Sequence, residues 1–236
     1  MTIADRFDPV PRVILLDLDD TICDYSTARE RRLRIALADA AGLPQSAPEL
    51  DSLIQASIAM QPHGAEHFRE LLAEHGFPRG HRVDAAISWY RANRFHGLDL
   101  FPDSVAVLNK LRRGPDGHRS RPLGIITNGP AEVQRDKVAL LQLRDLVDFV
   151  IISGEFGASK PDPAIYTEAL NRAGASAAET VFVGDSAEHD IAGAHASGLR
   201  SVWINRHGAP WTSPGRAPDR QIRHIGELPG LVGIDG

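Results

Sequence analysis

Short runs of apolar residues recur along the chain, and each run ends abruptly in small, polar or acidic positions. The first run covers residues 13–16 and is followed directly by Asp17. Continuous apolar runs of this length, rich in β-branched residues, are typical of strands buried on both faces. The pattern predicts strands at residues 13–16, 123–126, 149–152, 181–183 and 201–204.

Between the later strands, apolar residues return every three or four positions, which is typical of helices with one buried face. The predicted helices cover residues 104–111, 130–143, a segment that begins at Pro163, and 190–196. Asp103 and Asp162 stand where they can cap two of these helices. Strands that alternate with helices predict an α/β fold with a mainly parallel sheet.

Residues 26–96 follow a different pattern, because helical periodicity continues there without a strand. Four amphipathic helices are predicted, at 27–41, 47–59, 66–75 and 83–95. We therefore expect an inserted all-helical domain of residues 23–98 and a sheet domain made of residues 1–22 and 99–236. Residues 205–218 are rich in Gly and Pro and show no clear periodicity.

Composition narrows the class of protein. The 236 residues are 42% hydrophobic and 24% charged, which is an ordinary globular balance. The net charge is −5 and no basic block stands out, so we expect no nucleic-acid partner. No apolar run approaches the ~18 residues of a membrane span, and no secretory segment is visible, so we expect no membrane partner. With Cys23 as the single cysteine, a reducing cytoplasmic location is the expectation.

Polar residues that can carry chemistry follow four of the predicted strands. Asp17, Thr127, Lys160 and Asp185 each come just after an apolar run. Because the carboxyl ends of parallel strands meet at one edge of a sheet, we expect these side chains to converge in one crevice. Packed carboxylates favour Mg²⁺, and a lysine pairs with phosphate oxygens. The set predicts a site that holds Mg²⁺ and a phosphoryl group and offers a carboxylate nucleophile.

In four motifs the chain resembles the haloacid dehalogenase-like hydrolases. The motifs are Asp17-Leu18-Asp19-Asp20-Thr21, Thr127-Asn128-Gly129, Lys160-Pro161, and a Gly184-Asp185 pair that is followed by Asp190. Each motif alone is weak, but all four stand in the family's order, each after a predicted strand. The resemblance implies a Rossmann-like core, and the helical insertion resembles the family's C1 cap.

The resemblance also implies roles for these residues. Asp17 would be the nucleophile that forms an aspartyl-phosphate, and Asp19 would be the general acid and base. The Mg²⁺ ligands would be Asp17, Asp19 through its backbone carbonyl, and Asp185. The phosphate-binding residues would be Thr127, Asn128 and Lys160. Asp190 would position Lys160 or a metal-bound water.

The implied activity is that of a Mg²⁺-dependent phosphatase acting on a small phosphorylated metabolite, of the sugar phosphate or nucleotide class. Asp19 separates this activity from dehalogenation, because a halide needs no proton when it leaves. Specificity would lie in the cap and in the loop around Asp24 and Tyr25. The sequence indicates neither the physiological substrate nor the oligomeric state.

Three alternatives stay open at this point. A phosphomutase would use the same core and pass the phosphoryl group to a second hydroxyl. A phospho-receiver module of signalling also gathers acidic residues, Thr and Lys around Mg²⁺, but receivers are nearer half this length and lack such an insert. A zinc hydrolase would use His63 and His67, which match a short zinc-protease pattern.

Overall fold

The computed structural model describes residues 6–60, 64–77, 80–112 and 121–234. The chain forms two compact units. One comprises Met1–Asp24 and Leu100–Gly236, and the other comprises Tyr25–Asp99. The boundaries predicted from the sequence fall after residues 22 and 98. In the part of the chain that is described, no helix has the length and apolar character needed to cross a bilayer.

The larger unit is built on a six-stranded parallel sheet with the strand order β3-β2-β1-β4-β5-β6. The strands are β1 Val13–Leu16, β2 Leu123–Thr127, β3 Phe149–Ile152, β4 Thr180–Gly184, β5 Arg200–Ile204 and β6 Arg220–Ile222. All residues of β1, β2 and β4 are buried, as their continuous apolar runs indicate. The predicted α/β fold with a parallel sheet is confirmed.

Strand β6 was not predicted. It has three residues, too few for an alternating pattern to show, and it follows a Gly/Pro-rich segment. Asp219 fixes it against β5, because the Asp219 carboxylate accepts a 2.8 Å hydrogen bond from the Ser201 backbone N–H. A contact between distant residues therefore specifies this strand, and the local sequence pattern does not.

Helices flank the sheet. They are α5 Ser104–Leu111, α6 Ala131–Leu140, α7 Ser153–Phe156, α8 Pro163–Ala173, α9 Ala192–Ala196 and α10 Leu228–Leu231. Asp162 caps α8 as predicted, accepting a 2.9 Å bond from the Ala164 backbone N–H. The cap predicted at Asp103 is wrong, because its carboxylate accepts a hydrogen bond from Gly226 N–H instead. A distant backbone donor therefore competes successfully for that side chain.

The smaller unit consists of helices in its described part, with no strand there. The helices are α1 Tyr25–Ala41, α2 Glu49–Met60, α3 Phe68–Glu74 and α4 His81–Ala92. Their apolar faces form a separate core in which Phe68 and Tyr90 meet edge to face with ring centroids 5.4 Å apart. The four predicted helices are present, with ends that differ by up to three residues.

Candidate active site

The sheet order explains why residues far apart in sequence meet. Strands β2, β1 and β4 are neighbours and run in the same direction. Asp17 and Asp185 directly follow β1 and β4, and Thr127 is the last residue of β2. All three therefore stand at the carboxyl edge of the sheet, where open α/β folds bind their ligands.

Lys160 lies at the centre of this edge and is 3% exposed. Its Nζ is 2.5 Å from Asp17 Oδ1 and 2.6 Å from Asp190 Oδ1. Burial disfavours the ammonium charge, but Asp17 and Asp190 overcome this effect and raise the Lys160 pKa. Lys160 is therefore a permanently charged group that bridges two carboxylates in a site shielded from water.

Carboxylate oxygens of Asp17, Asp185 and Asp190 lie within 4.8 Å of one another. Burial raises the Asp17 pKa to about 7 even though Lys160 opposes the shift. Burial, together with the charges of Asp17 and Asp190, raises the Asp185 pKa to about 8. Oxygen atoms that are close, desolvated and mutually repelling are the donor set that a hard divalent cation such as Mg²⁺ stabilises.

Of the predicted metal ligands, Asp17 and Asp185 are brought together, and Asp190 joins them. The Asp19 carboxylate is instead bound by Lys137, so a contribution of Asp19 through its backbone carbonyl stays a prediction. Asp190 has both oxygens engaged, one by Lys160 and the other by the Ser186 backbone N–H at 2.9 Å. Asp190 therefore holds the Lys160 ammonium group, and its role in the reaction stays a prediction.

The glycine that precedes Asp185 is required by packing. A Cβ at Gly184 would lie 2.3 Å from Asp190 Oδ2, far inside van der Waals contact. Any larger residue would displace the carboxylate that holds Lys160. Asp190 also lies within a π turn, Ala187–Ile191, whose cap is Ser186; it does not cap a helix itself.

Thr127 and Asn128 differ in what they offer. The Thr127 Oγ1 is buried and has no hydrogen-bond partner within the described residues, so it can donate to a phosphoryl oxygen. The Asn128 amide is bound on both sides to the backbone of Lys160, donating to its carbonyl and accepting from its N–H, each at 2.9 Å. Asn128 thus fixes the lysine loop, and its direct contact with phosphate stays a prediction.

Lys137 is the main site residue that the sequence analysis missed. It is 2% exposed, and its Nζ lies 2.7 Å from both carboxylate oxygens of Asp19. Gln134, one turn earlier on α6, also reaches Asp19. The signal in the sequence was the scarcity of lysine: the chain has three, and two of them bind site carboxylates.

Two further residues hold the loops of the site. Trp203 donates from Nε1 to the Asp185 backbone carbonyl at 2.7 Å. The Trp211 ring packs edge to face on the Trp203 ring, with centroids 5.1 Å apart. The Arg206 guanidinium donates to the backbone carbonyls of Asp20 and Thr21, the last two residues of the first motif. No local motif distinguishes these residues in the sequence.

The other residues singled out in the sequence are the predicted substrate loop and the two histidines of the zinc alternative. Burial lowers the pKa of the Arg206 guanidinium, and the nearby charge of Asp24 acts in the opposite direction. Tyr25 belongs to the helical unit, where the guanidinium of Arg29 lies 5.6 Å from its ring centroid. His67 Nε2 lies 2.7 Å from Ser57 Oγ, whereas His63 falls outside the described residues.

Known proteins match this chain over most of its length. A family model for haloacid dehalogenase-like hydrolases matches residues 11–198. A glyceraldehyde 3-phosphate phosphatase of Methanopyrus kandleri is 31% identical over 92% of this chain and 91% of its own length. A phosphoserine phosphatase of Thermus thermophilus is 34% identical, but the match spans only 68% of this chain and 61% of that protein.

Solved structures show the same fold. A putative hydrolase of this family from Bacillus subtilis, bound to magnesium, superimposes with a TM-score of 0.77 at 23% identity, over 95% of this chain and all of that one. A 2-haloacid dehalogenase from Pseudomonas syringae is 30% identical, with a TM-score of 0.58 over 93% of this chain and 97% of its own. The chain belongs to the haloacid dehalogenase-like hydrolase family.

Proposed function

We propose that the protein is a Mg²⁺-dependent phosphatase that hydrolyses a small phosphorylated metabolite through an aspartyl-phosphate. One observation carries the proposal: the Asp17 carboxylate is held at 2.5 Å by the buried Lys160, beside Asp185 and Asp190. A desolvated carboxylate at the end of a strand, with a cationic group next to it, is suited to attack on phosphorus.

Two displacements account for the reaction. An Asp17 oxygen bonds to phosphorus while the ester P–O bond breaks, and Asp19 gives a proton to the departing alcohol oxygen. Water then attacks the aspartyl-phosphate and gives a proton to Asp19, and the bond between phosphorus and Asp17 breaks. Phosphate leaves and Asp17 is again a carboxylate. Lys160 and the free Thr127 hydroxyl hold phosphoryl oxygens in both steps.

The metal requirement follows from the charge at this edge. Asp17 and Asp185 would hold Mg²⁺ with their carboxylates, and the Asp19 backbone carbonyl would complete the protein ligands. An ion held there would supply positive charge against the phosphoryl oxygens. Asp190 is committed to Lys160 and Ser186, so it acts on the site by keeping the lysine in place.

Asp19 decides between hydrolysis of phosphate esters and dehalogenation. An alcohol is a poor leaving group unless it is protonated, whereas a halide leaves as an anion. The presence of a second aspartate, held in place by Lys137, therefore favours a phosphate ester. The relatives named as phosphatases of glyceraldehyde 3-phosphate and phosphoserine support a small substrate; a sugar phosphate or a nucleotide is the class we propose.

We assign the helical unit, together with Asp24 and Tyr25, to substrate selection as a cap. Its separate apolar core allows it to hold its own structure, which a moving cap requires.

The cytoplasmic location also stays a prediction.

A screen of phosphate esters tests the proposed function. With Mg²⁺ present, we expect release of inorganic phosphate from 4-nitrophenyl phosphate and a higher kcat/KM for one of a set of small alkyl phosphates. Chelation of Mg²⁺ should abolish both. Chloride release from a 2-chloro acid, without phosphatase activity, would contradict the proposal. A phosphomutase would return an isomeric phosphate in place of inorganic phosphate.

Mg²⁺ binding is expected to strengthen as pH rises from 6 to 8. The metal-free site holds Asp17 with a pKa of about 7 and Asp185 with a pKa of about 8, so protons compete with the metal at pH 6. Each bound proton weakens binding by about 10-fold per pH unit below its pKa. Calorimetric titration at pH 6, 7 and 8 measures this affinity and the protons released.

The same shifts have a stability consequence. Both folded-state pKa values lie above 3.8, the ordinary value for aspartate, so the unfolded state holds fewer protons between pH 4 and about 8. The metal-free protein therefore loses stability as pH rises through this window, and the increase in Tm caused by Mg²⁺ grows. A Tm increase that is equal at pH 6 and pH 8 would contradict this expectation.

A further inference from the structure

We propose that Lys137 is a positioning residue for Asp19, holding its carboxylate in the orientation that proton transfer to the leaving group requires. The proposal rests on the proposed function, since it assigns a role to a neighbour of the predicted acid and base. None of the four sequence motifs contains Lys137, which lies on α6 at a distance of 118 residues from Asp19.

The Lys137 ammonium group contacts both oxygens of the Asp19 carboxylate directly. The Lys137 Nζ donates to Asp19 Oδ1 and to Asp19 Oδ2, at 2.7 Å each. A carboxylate bound through both oxygens cannot rotate about its terminal bond without losing one of the two hydrogen bonds. Lys137 thereby fixes the plane of the carboxyl group, and each of its oxygens keeps a second lone pair that can carry the proton delivered to the leaving group.

Neighbouring side chains complete the surroundings of Asp19. The Gln134 Nε2 donates to the Asn128 backbone carbonyl at 2.7 Å and lies 3.4 Å from Asp19 Oδ2. The Cys23 Sγ lies 3.4 Å from Asp19 Oδ1. Through Gln134, the helix that carries Lys137 is thus bound to the loop that fixes Lys160.

Burial argues against a purely structural ion pair. The side chain of Lys137 is 2% exposed, whereas that of Asp19 is 26% exposed and remains open to the site. Placing an ammonium group in the interior has a desolvation cost that a well-packed apolar residue would avoid. Most cationic residues of the chain are arginines, whereas this buried position carries lysine, whose charge is a compact point charge.

A comparison of leaving groups tests the proposal. Proton transfer matters for an alkyl phosphate, whose alkoxide is a poor leaving group, and matters little for 4-nitrophenyl phosphate. In Lys137→Met we expect kcat to fall by about 100-fold on an alkyl phosphate and by less than about 10-fold on the aryl ester. The matched control is Lys110→Met on α5, which should leave both rates unchanged.

A double-mutant cycle separates positioning from a general effect on folding. If Lys137 acts through Asp19, Lys137→Met should change the single-turnover rate by less than about 2-fold in an Asp19→Asn background. Where Lys137→Met does not fold, Lys137→Arg keeps the charge but moves it, and the same preferential loss on alkyl phosphates is expected.

Defined results would overturn the inference. These are an equal loss on both substrates, no loss on either, a faster rate, or a full effect of Lys137→Met in the Asp19→Asn background. The wild-type protein is the reference for the proposed function itself: if it hydrolyses no phosphate ester with Mg²⁺ present, that function fails and this inference fails with it. If the wild type is active and any of the four results named first is found, only the role of Lys137 is contradicted.

Discussion

Asp17→Asn is expected to lower phosphatase turnover at saturating Mg²⁺ by at least ~10⁴-fold, because an amide cannot form the aspartyl-phosphate. The fold should remain. The Asp17 carboxylate is buried and its pKa is raised to about 7, so a neutral amide of the same shape removes a desolvated charge. We expect the free energy of unfolding to change by about 1 kcal/mol or less.

Acid quench with a substrate labelled on phosphorus gives the direct measurement. Label should remain on the wild-type protein and be missing from Asp17→Asn. Asp20→Asn is the matched control: Asp20 has a φ of +57°, which asparagine tolerates, and we expect this variant to keep most of its turnover. Label on the Asp17→Asn protein, or turnover within about 10-fold of wild type, would show that another group attacks phosphorus.

Lys160→Met is expected to reduce both activity and stability. Turnover should fall by about 10³-fold, because a cationic donor to the phosphoryl oxygens is lost. The free energy of unfolding should fall by about 3 kcal/mol at pH 8, because Asp17 and Asp190 are left without the ammonium group that bridges them.

The stability difference should depend on pH with a defined sign. Removing Lys160 takes away the charge that opposes protonation of Asp17, so the Asp17 pKa rises further above about 7. The variant therefore takes up a proton where the wild type does not, and it loses most stability relative to wild type above pH 7. Denaturant unfolding at pH 5.5 and pH 8 measures the difference.

Added Mg²⁺ separates the two roles of Lys160. It should restore part of the stability of Lys160→Met by neutralising the carboxylates, but it should not restore turnover. Lys110→Met, in which the lysine stands in the last turn of α5, is the control for loss of a positive charge. A stability difference that is larger at pH 5.5 than at pH 8 would refute the assignment of Lys160 as the bridge between carboxylates.

The sequence by itself predicted the sheet domain well, and the reason is local. Buried parallel strands need continuous apolar runs, and five such runs were visible. The order of strands in a parallel sheet then brings residues at their carboxyl ends to one edge, whatever their separation along the chain. Asp17 and Asp185 could therefore be placed together from the pattern alone.

The pattern of apolar and polar positions did not predict the partners of individual polar side chains. Asp103 stands at a helix start, yet it binds Gly226, and strand β6 depends on Asp219. In the sequence, Lys137 is an ordinary charged position of an amphipathic helix. In the folded chain, its ammonium group contacts Asp19.

The physical reason is the range over which each interaction is specified. Hydrophobic periodicity and turn residues act within a few positions, so the sequence alone determined the α/β class, the helical insertion and the acidic strand ends. Hydrogen bonds between buried polar groups depend on which elements pack together. Only the tertiary structure decided that Lys160 bridges Asp17 and Asp190 and that Lys137 binds Asp19, because those partners lie 30 to 143 residues apart.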